Sequence, residues 1–579
     1  LQSYQNNAGY QIHYEYETDS LSVPTLTDWR KVNKVTALNL AVDYCDREAF
    51  ACTGLSRTWP SMTLSNTSGT GYVEDVVTDQ SGVATRFRRS TLTGGGSLTQ
   101  MFVGAEPTPV IAVESQDPSG TPWEVTSAGG TWEYNFVDAS GSRTATVEGP
   151  MGQEMSLVAD LETGLVMSAT QQTSASPATS RTWTWEYEDG RVKRANGPQG
   201  ERAEYLYDDR GNVLRTTLTP TAGVETQLVT SATYAADCAN PITCNRPTST
   251  TDTTGGVTNY SWDAVHGGLL SVTLPAPTTG AVRPQTRYAY AAQTAQFKDG
   301  TGAVVAAPTS ITLPVETSAC VTGASCDGTA DEILTTLSYG SAGVANNLNP
   351  SQVQSGSGAV PAMTSQQFTY TPDGDVETVT GPVSGMSTRY HYDASRRVAA
   401  VDGADPDGSG PAHNRAQRFT YNDRGQTTLA EVGTTNGAAP ADVAAFSPLL
   451  KSSTAYDAYG RPVETRQLSG AGAVSGVQQV TYDAAGRVNC VATRMNPGTF
   501  GALPSSAWTA ASTGRVGPDR ITQMTWDIAD RPLATTSGLG TSAQVTESLT
   551  YGANGQVATV TDGRRNVSIM EYDGLNRPS

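Results

Sequence analysis

One short pattern, repeated in series, limits the fold of this chain more than any other feature. Its cleanest copy is Tyr482-Asp483-Ala484-Ala485-Gly486-Arg487-Val488. Close relatives are Tyr207-Asp208-Asp209-Arg210-Gly211-Asn212-Val213, Tyr392-Asp393-Ala394-Ser395-Arg396-Arg397-Val398 and Tyr456-Asp457-Ala458-Tyr459-Gly460-Arg461-Pro462-Val463. Looser copies begin at Tyr187, Tyr370, Tyr421, Trp526, Tyr551 and Tyr572, and Trp262 to Gly268 is a degenerate one. A chain of 579 residues built this way is an array of small units, not one large core. The spacing is uneven: Tyr187 to Tyr207 is 20 residues, Tyr370 to Tyr392 is 22, and Tyr482 to Trp526 is 44. Segments 401–413 and 489–520 therefore read as variable insertions on a common framework.

Each copy has a mechanical reading. Before the aromatic residue the sequence alternates, as in Thr182-Trp183-Thr184-Trp185-Glu186-Tyr187, which places aromatics on one face of a strand. The Asp that follows can accept a backbone N–H two residues on and so start a turn. Gly supplies the positive φ that other residues resist. Arg or Asn and then Val open the return strand. Each copy thus predicts a β-hairpin with a loop of about three to five residues. Composition agrees: charged residues are 16%, against about 25% in an average globular protein. Thr, Ser, Val, Ala and Tyr fill their place, and most of these suit pleated, half-buried surfaces. The expectation is an all-β protein, with tandem repeats over 181–579. Residues 1–180 lack clean copies but alternate in the same way at Tyr10–Tyr16 and Thr131–Phe136, and Met155–Met167 reads as strand–turn–strand with Gly164 at the turn. They are expected to be degenerate repeats continuous with the rest, an independent β domain being the alternative.

Six of the seven cysteines form three close pairs, Cys45 with Cys52, Cys238 with Cys244, and Cys320 with Cys326. Zinc would ask for four ligands at short spacing. The four histidines, His13, His266, His391 and His413, all lie away from the pairs in sequence. Three local disulfides are expected, hence an oxidising compartment. Each closes a small loop and stabilises by about 2–2.5 kcal/mol on the chain-entropy estimate. Cys490 is left unpaired.

Net charge is −19, from 37 Lys and Arg against 56 Asp and Glu. That sign repels phosphate backbones and anionic lipid, so neither nucleic acid nor a membrane is expected as a partner. No apolar run approaches the about 18 residues of a membrane span. The best, 441–450, reads as a packed loop or short helix. Catalytic patterns are missing as well. The acidic stretch 401–408 fails as an EF-hand, since Ala404 and Pro406 fall where oxygen ligands are needed. Gly356-Ser357-Gly358 matches the nucleophile elbow only in part and reads as a loop. No metal or cofactor is expected. Asp208, Asp393, Asp457, Asp483 and Asp573 are expected to shape turns, and a catalytic constellation would not recur in series. Arg461, Arg487 and Arg577 are expected to pack on neighbouring aromatics or to meet carboxylates of the adjacent hairpin.

The motif, seen at Tyr482–Val488 and Tyr456–Val463 and repeated to Tyr572-Asp573, resembles the YD repeat of Rhs proteins, Tc-toxin shell components and teneurins. The resemblance implies a long β-sheet wound spirally into a cocoon-like shell. It also implies a secreted or cell-surface bacterial protein without catalysis of its own, whose partner is a C-terminal toxin cargo of the same polypeptide. A surface adhesin using the wall to bind a cell-surface glycan or protein is the alternative. The start at Leu1 and the stop at Ser579 suggest a piece of a longer chain, with any export signal and any cargo outside it. Alkylation of the denatured, unreduced chain is expected to label one thiol, Cys490. Labelling of all seven would end the disulfide reading.

Overall fold

The computed structural model describes residues 2–17, 31–93, 95–115, 122–175, 178–221, 226–323, 326–341, 343–383, 386–407 and 413–579. Among these residues a single antiparallel sheet of 40 strands follows the chain without crossing over. Ser3–Gln5 pairs with Tyr10–Tyr16, that strand with Val32–Asn39, and so on until Val557–Thr561 pairs with Val567–Ile569. One hairpin, Gln296–Lys298 with Val304–Ala306, stands apart as a two-stranded sheet. Its flanking strands, Gln285–Gln293 and Ile311–Cys320, pair directly across its base. Among the described residues no pairing joins the first strand to the last, so the sheet stays open.

Period-two sequence produces this sheet. In Ala178–Glu188, Trp183, Trp185 and Tyr187 are half-buried while Thr182, Thr184 and Glu186 between them are exposed. The opposite face carries threonine pairs across strands, such as Thr170 with Thr182 at 2.9 Å and Thr550 with Thr559 at 2.7 Å. β-Branched side chains in register support neighbouring strands in this way. Buried apolar clusters are small. One joins Leu38, Cys45 and Trp59, and another joins Cys490, Ala492, Ala507 and Ile521. Stability must therefore rest largely on the strand ladders and on what happens at the hairpin tips.

The sheet runs through residue 180 without a break, because Val166–Ala175 pairs with Ala178–Glu188. Gly164 has φ +72° in the turn between Glu154–Asp160 and Val166–Ala175. Other turns of this region are two-residue ones. Ala128-Gly129 and Ser140-Gly141 each have φ positive at both positions, the pairing that matches strand twist.

Some details differ from the sequence reading. The copy at Tyr187 closes with a two-residue turn, Asp189-Gly190, since Glu188 pairs with Arg191. Gly356 and Ser357 end the strand Pro350–Ser357, whose partner begins at Val360, so they are hairpin and not a loose loop. The apolar run splits: Pro440–Ala444 is a helix and Ser447–Tyr456 a strand. Gly408, the last residue of the acidic stretch, lies outside the described residues. Asp402 of the same stretch is buried and paired with His391 at 2.6 Å.

The 489–520 insertion is more ordered than a variable loop. Its first residues belong to the strand Val488–Arg494, and the next strand is Arg520–Trp526. Between them the chain is clamped by a buried pair, Arg494 and Asp519, at 2.8 Å. Arg494 also donates to Gln479 Oε1 at 2.6 and 2.8 Å, to the Thr509 carbonyl at 2.7 Å and to the Ser506 carbonyl at 2.9 Å. Burial pushes the Asp519 carboxyl up. The N–H groups of Ala511 and Met495 and the Arg494 guanidinium outweigh it and hold the pKa below the usual range. Asp519→Ala leaves Arg494 buried and unpaired, which should cost about 3–5 kcal/mol. Hydrogen exchange is the check: protection should fall across 489–526 and stay unchanged in distant hairpins.

Candidate functional site: the repeated turns and the seam between coils

One copy shows the construction. The strand Val474–Tyr482 meets Val488–Arg494 with a register shift between Thr481 and Tyr482, so the motif tyrosine sits at a bulge. Asp483 Oδ1 then accepts the N–H groups of Ala485 and Arg487, each at 3.0 Å. The Asp483 N–H donates to the Arg487 carbonyl at 2.9 Å, and the Gly486 N–H to the Asp483 carbonyl at 3.0 Å. Arg487 Nε returns to Asp483 Oδ2 at 2.8 Å. Asp457, Asp393, Asp573 and Asp527 hold the same bonds in their own turns. Asn422, and Asn6 and Asp79 in the first 180 residues, accept the same two backbone N–H groups. At Asp208, desolvation pushes the carboxyl up. The Asn212 side chain and N–H, with the Arg210 guanidinium, outweigh it and hold the pKa at about 2.

The fourth turn position needs φ near +60 to +90°. Gly fills it at Gly211, Gly460 and Gly486, but Arg396, Asp530 and Asn576 occupy it at φ 61°, 61° and 65°. Asp and Asn tolerate this region through their short polar side chains, while Arg396 is held in a conformation that it resists.

Successive copies are tied together by two contacts. The Tyr482 hydroxyl donates to the carbonyl of Pro462, the first residue after the preceding turn, at 2.8 Å. Tyr207 reaches Val192 at 2.9 Å, Tyr392 reaches Val376 at 2.7 Å, Tyr456 reaches Thr427 at 2.8 Å, and Tyr572 reaches Val557 at 3.0 Å. Trp526 substitutes its indole N–H, at 2.9 Å from the Val488 carbonyl. Burial pushes the Tyr482 phenol above its ordinary pKa, which keeps it a donor. In the other direction, the Arg461 guanidinium lies over the Tyr482 ring at 4.5 Å and Arg531 over Tyr551 at 4.4 Å. The expected aromatic packing of Arg461 and Arg487 is present. Their first carboxylate, however, belongs to their own turn, because i,i+4 across a five-residue loop brings it closest. Arg487 meets a neighbouring hairpin as well, at Asp530 Oδ1, 2.6 Å away. Arg577 pairs with Asp573 in its own turn.

The same turns form a seam. Asn39 donates to Asn346 at 2.5 Å and to the Pro372 carbonyl at 3.1 Å, and Arg57 pairs with Asp373 at 2.6 Å. Ser395 meets Asp79 at 3.1 Å, Arg461 meets the Ala128 carbonyl at 2.6 Å, and Gln153 meets Asp530 at 3.0 Å. Arg181 reaches the Asn554 carbonyl at 2.8 Å, and Thr221 N–H the Gly574 carbonyl at 2.9 Å. Partners stand 307 to 377 residues apart in sequence. The sheet therefore winds back on itself, and turns of the later coil rest on hairpin ends of the earlier one. Sequence reasoning missed both the tyrosine–carbonyl links and this seam.

Cys45–Cys52, Cys238–Cys244 and Cys320–Cys326 are bonded, and Cys490 is free and buried. Residues 324 and 325 of the third loop lie outside the described residues. One step of the sequence argument needs correction: His13, remote in sequence, is fully buried against Cys45, with Nδ1 3.7 Å from Sγ.

A meandering antiparallel sheet wound so that its turns stack coil on coil is a fold that this chain shares with solved Tc-toxin structures. The chain superposes on the Photorhabdus luminescens Tc holotoxin pore with a TccC3 substitution at TM-score 0.55 and 14% identity, over 90% of this chain and 27% of that one. It matches a TcdB2–TccC3–TEV structure at TM-score 0.55 and 13% identity, over 92% and 28%. A TcdB2–TccC3–Cdc42 structure matches at 0.54 and 14%, over 91% and 28%. The chain thus spans little more than a quarter of the length of those chains. No protein-family model matches it, and no curated protein matches it by sequence.

Tyr482→Phe keeps the ring beneath Arg461 and removes only the bond to the Pro462 carbonyl. It should lower stability by about 0.5–1.5 kcal/mol in urea unfolding. No change would mean that the link is incidental.

Proposed function

We propose that this chain is a wall segment of a secreted bacterial shell that encloses a toxin polypeptide and releases it on delivery. The observation that carries the reading is the seam. Turns of one coil docked on hairpin ends of another make a continuous wall from a sheet that has open ends. The wall acts physically: it excludes proteases and other proteins from its contents and needs no catalytic group of its own. The motif carboxylates suit that role, since backbone N–H groups and arginines of their turns engage them. The likeness to toxin assemblies supports the reading, as do the three disulfides, which fit an oxidising exterior. Cargo in the same polypeptide is the expected partner.

Limited proteolysis of the whole natural polypeptide tests this. Sequence beyond Ser579 should resist digestion while the wall is intact and become cleavable when denaturant opens it. A stop codon shortly after Ser579, or a C-terminal segment cut as fast as an exposed loop, would overturn the reading. Selective binding of the intact protein on a glycan array would instead favour the adhesin.

A further inference from the structure

We propose a second state for the corner that Cys45 and Cys52 close: with the disulfide reduced, His13, Cys45 and Cys52 bind one zinc ion. The three side chains come from two parts of the chain. His13 projects from the strand Tyr10–Tyr16, and the cysteines from the loop after Val32–Asn39. Their ligand atoms all lie within 4.8 Å of one another.

The histidine is the informative member. Its side chain is completely buried, and its two ring nitrogens face different groups. Nε2 lies 3.4 Å from the Phe50 carbonyl, which can only accept, so that nitrogen carries the proton. Nδ1 is then left with a lone pair, aimed at Cys45 Sγ at 3.7 Å. A disulfide sulfur offers that lone pair no proton, so the buried nitrogen gains little in the oxidised state. Zinc would use it fully. With Zn–N about 2.0–2.1 Å and Zn–S about 2.3 Å, a tetrahedral N···S edge is about 3.5 Å, close to the distance already present. The Phe50 carbonyl holds the ring as an outer partner commonly holds a metal-bound histidine. Access exists, because Cys45 also lines a cavity of about 460 Å³ shared with Gln5, Tyr44, Arg47 and Lys298.

The chemistry balances. A dithiol or phosphine reductant supplies two electrons to the S–S bond, and each sulfur gains one proton. Zinc displaces both thiol protons to solvent and accepts the Nδ1 lone pair, leaving one position for water. A small-molecule disulfide takes the two electrons, leaving as two thiolates, while Cys45 and Cys52 rejoin as a disulfide and the ion is released. Cys238–Cys244 and Cys320–Cys326 have no histidine in such a group among the described residues, which singles out this corner.

The test uses the whole chain, reduced with a phosphine under argon and titrated with zinc against a chromophoric chelator. Cobalt substitution follows, to show thiolate-to-metal absorption. One tight equivalent is expected in the reduced chain and none in the oxidised chain. His13→Ala should weaken binding at least ~10-fold. His13→Cys, smaller than histidine but able to ligate, should retain it. The proposal fails if the reduced chain binds no tight equivalent, or if both variants match the wild type. It also fails if both lose binding equally, since that marks a packing role. Should His13→Ala not fold, Cys52→Ser gives the same comparison, and tight binding there overturns the site.

Discussion

The repeated motif hairpins of this protein depend on one carboxylate or carboxamide oxygen accepting two backbone N–H groups. At Asp483 those donors are two and four residues on, which fixes the turn as a rigid loop of five. Rigidity at the tip sets the bulge, and the bulge aims the tyrosine back at the carbonyl opening the previous return strand. The same rigidity presents arginine to the next aromatic ring. A sheet with almost no thick core can persist this way, because each motif hairpin is fastened to its neighbours at its end.

The local part of this design was legible in the sequence. Asp, Gly and an alternating approach at Tyr482–Val488 imply a hairpin, and the pattern recurs often enough to imply an array. The structure adds a second N–H to the expected one. What was not legible has clear reasons. The tyrosine hydroxyl bonds a backbone carbonyl, of Pro462 in one copy and of Val376, Thr427 or Val557 in others, so its partner has no fixed side chain to read. The seam joins residues such as Asn39 and Asn346 across most of a coil, a distance at which a single sequence carries no register. Asn6 and Asp79 carry the same turn chemistry in the first 180 residues, without the full motif around it.

One error came from treating proximity along the chain as proximity in space. His13 was set aside because no cysteine lies near it in sequence, yet strand pairing places it beside Cys45. The 489–520 segment was read by composition as a loose insertion. Its single carboxylate, Asp519, turns out to anchor it through Arg494.

The winding has a further consequence, for the order of assembly. Apart from the inserted hairpin Gln296–Lys298 with Val304–Ala306, every described strand pairs with its neighbour along the chain, so the sheet can grow hairpin by hairpin as residues emerge from the ribosome. Seam contacts are of another kind, with partners 307 to 377 residues apart. The later coil has nothing to rest on until the earlier one exists. The first few hundred residues thus serve as a template, and building the protein resembles coiling a rope onto its own first turn.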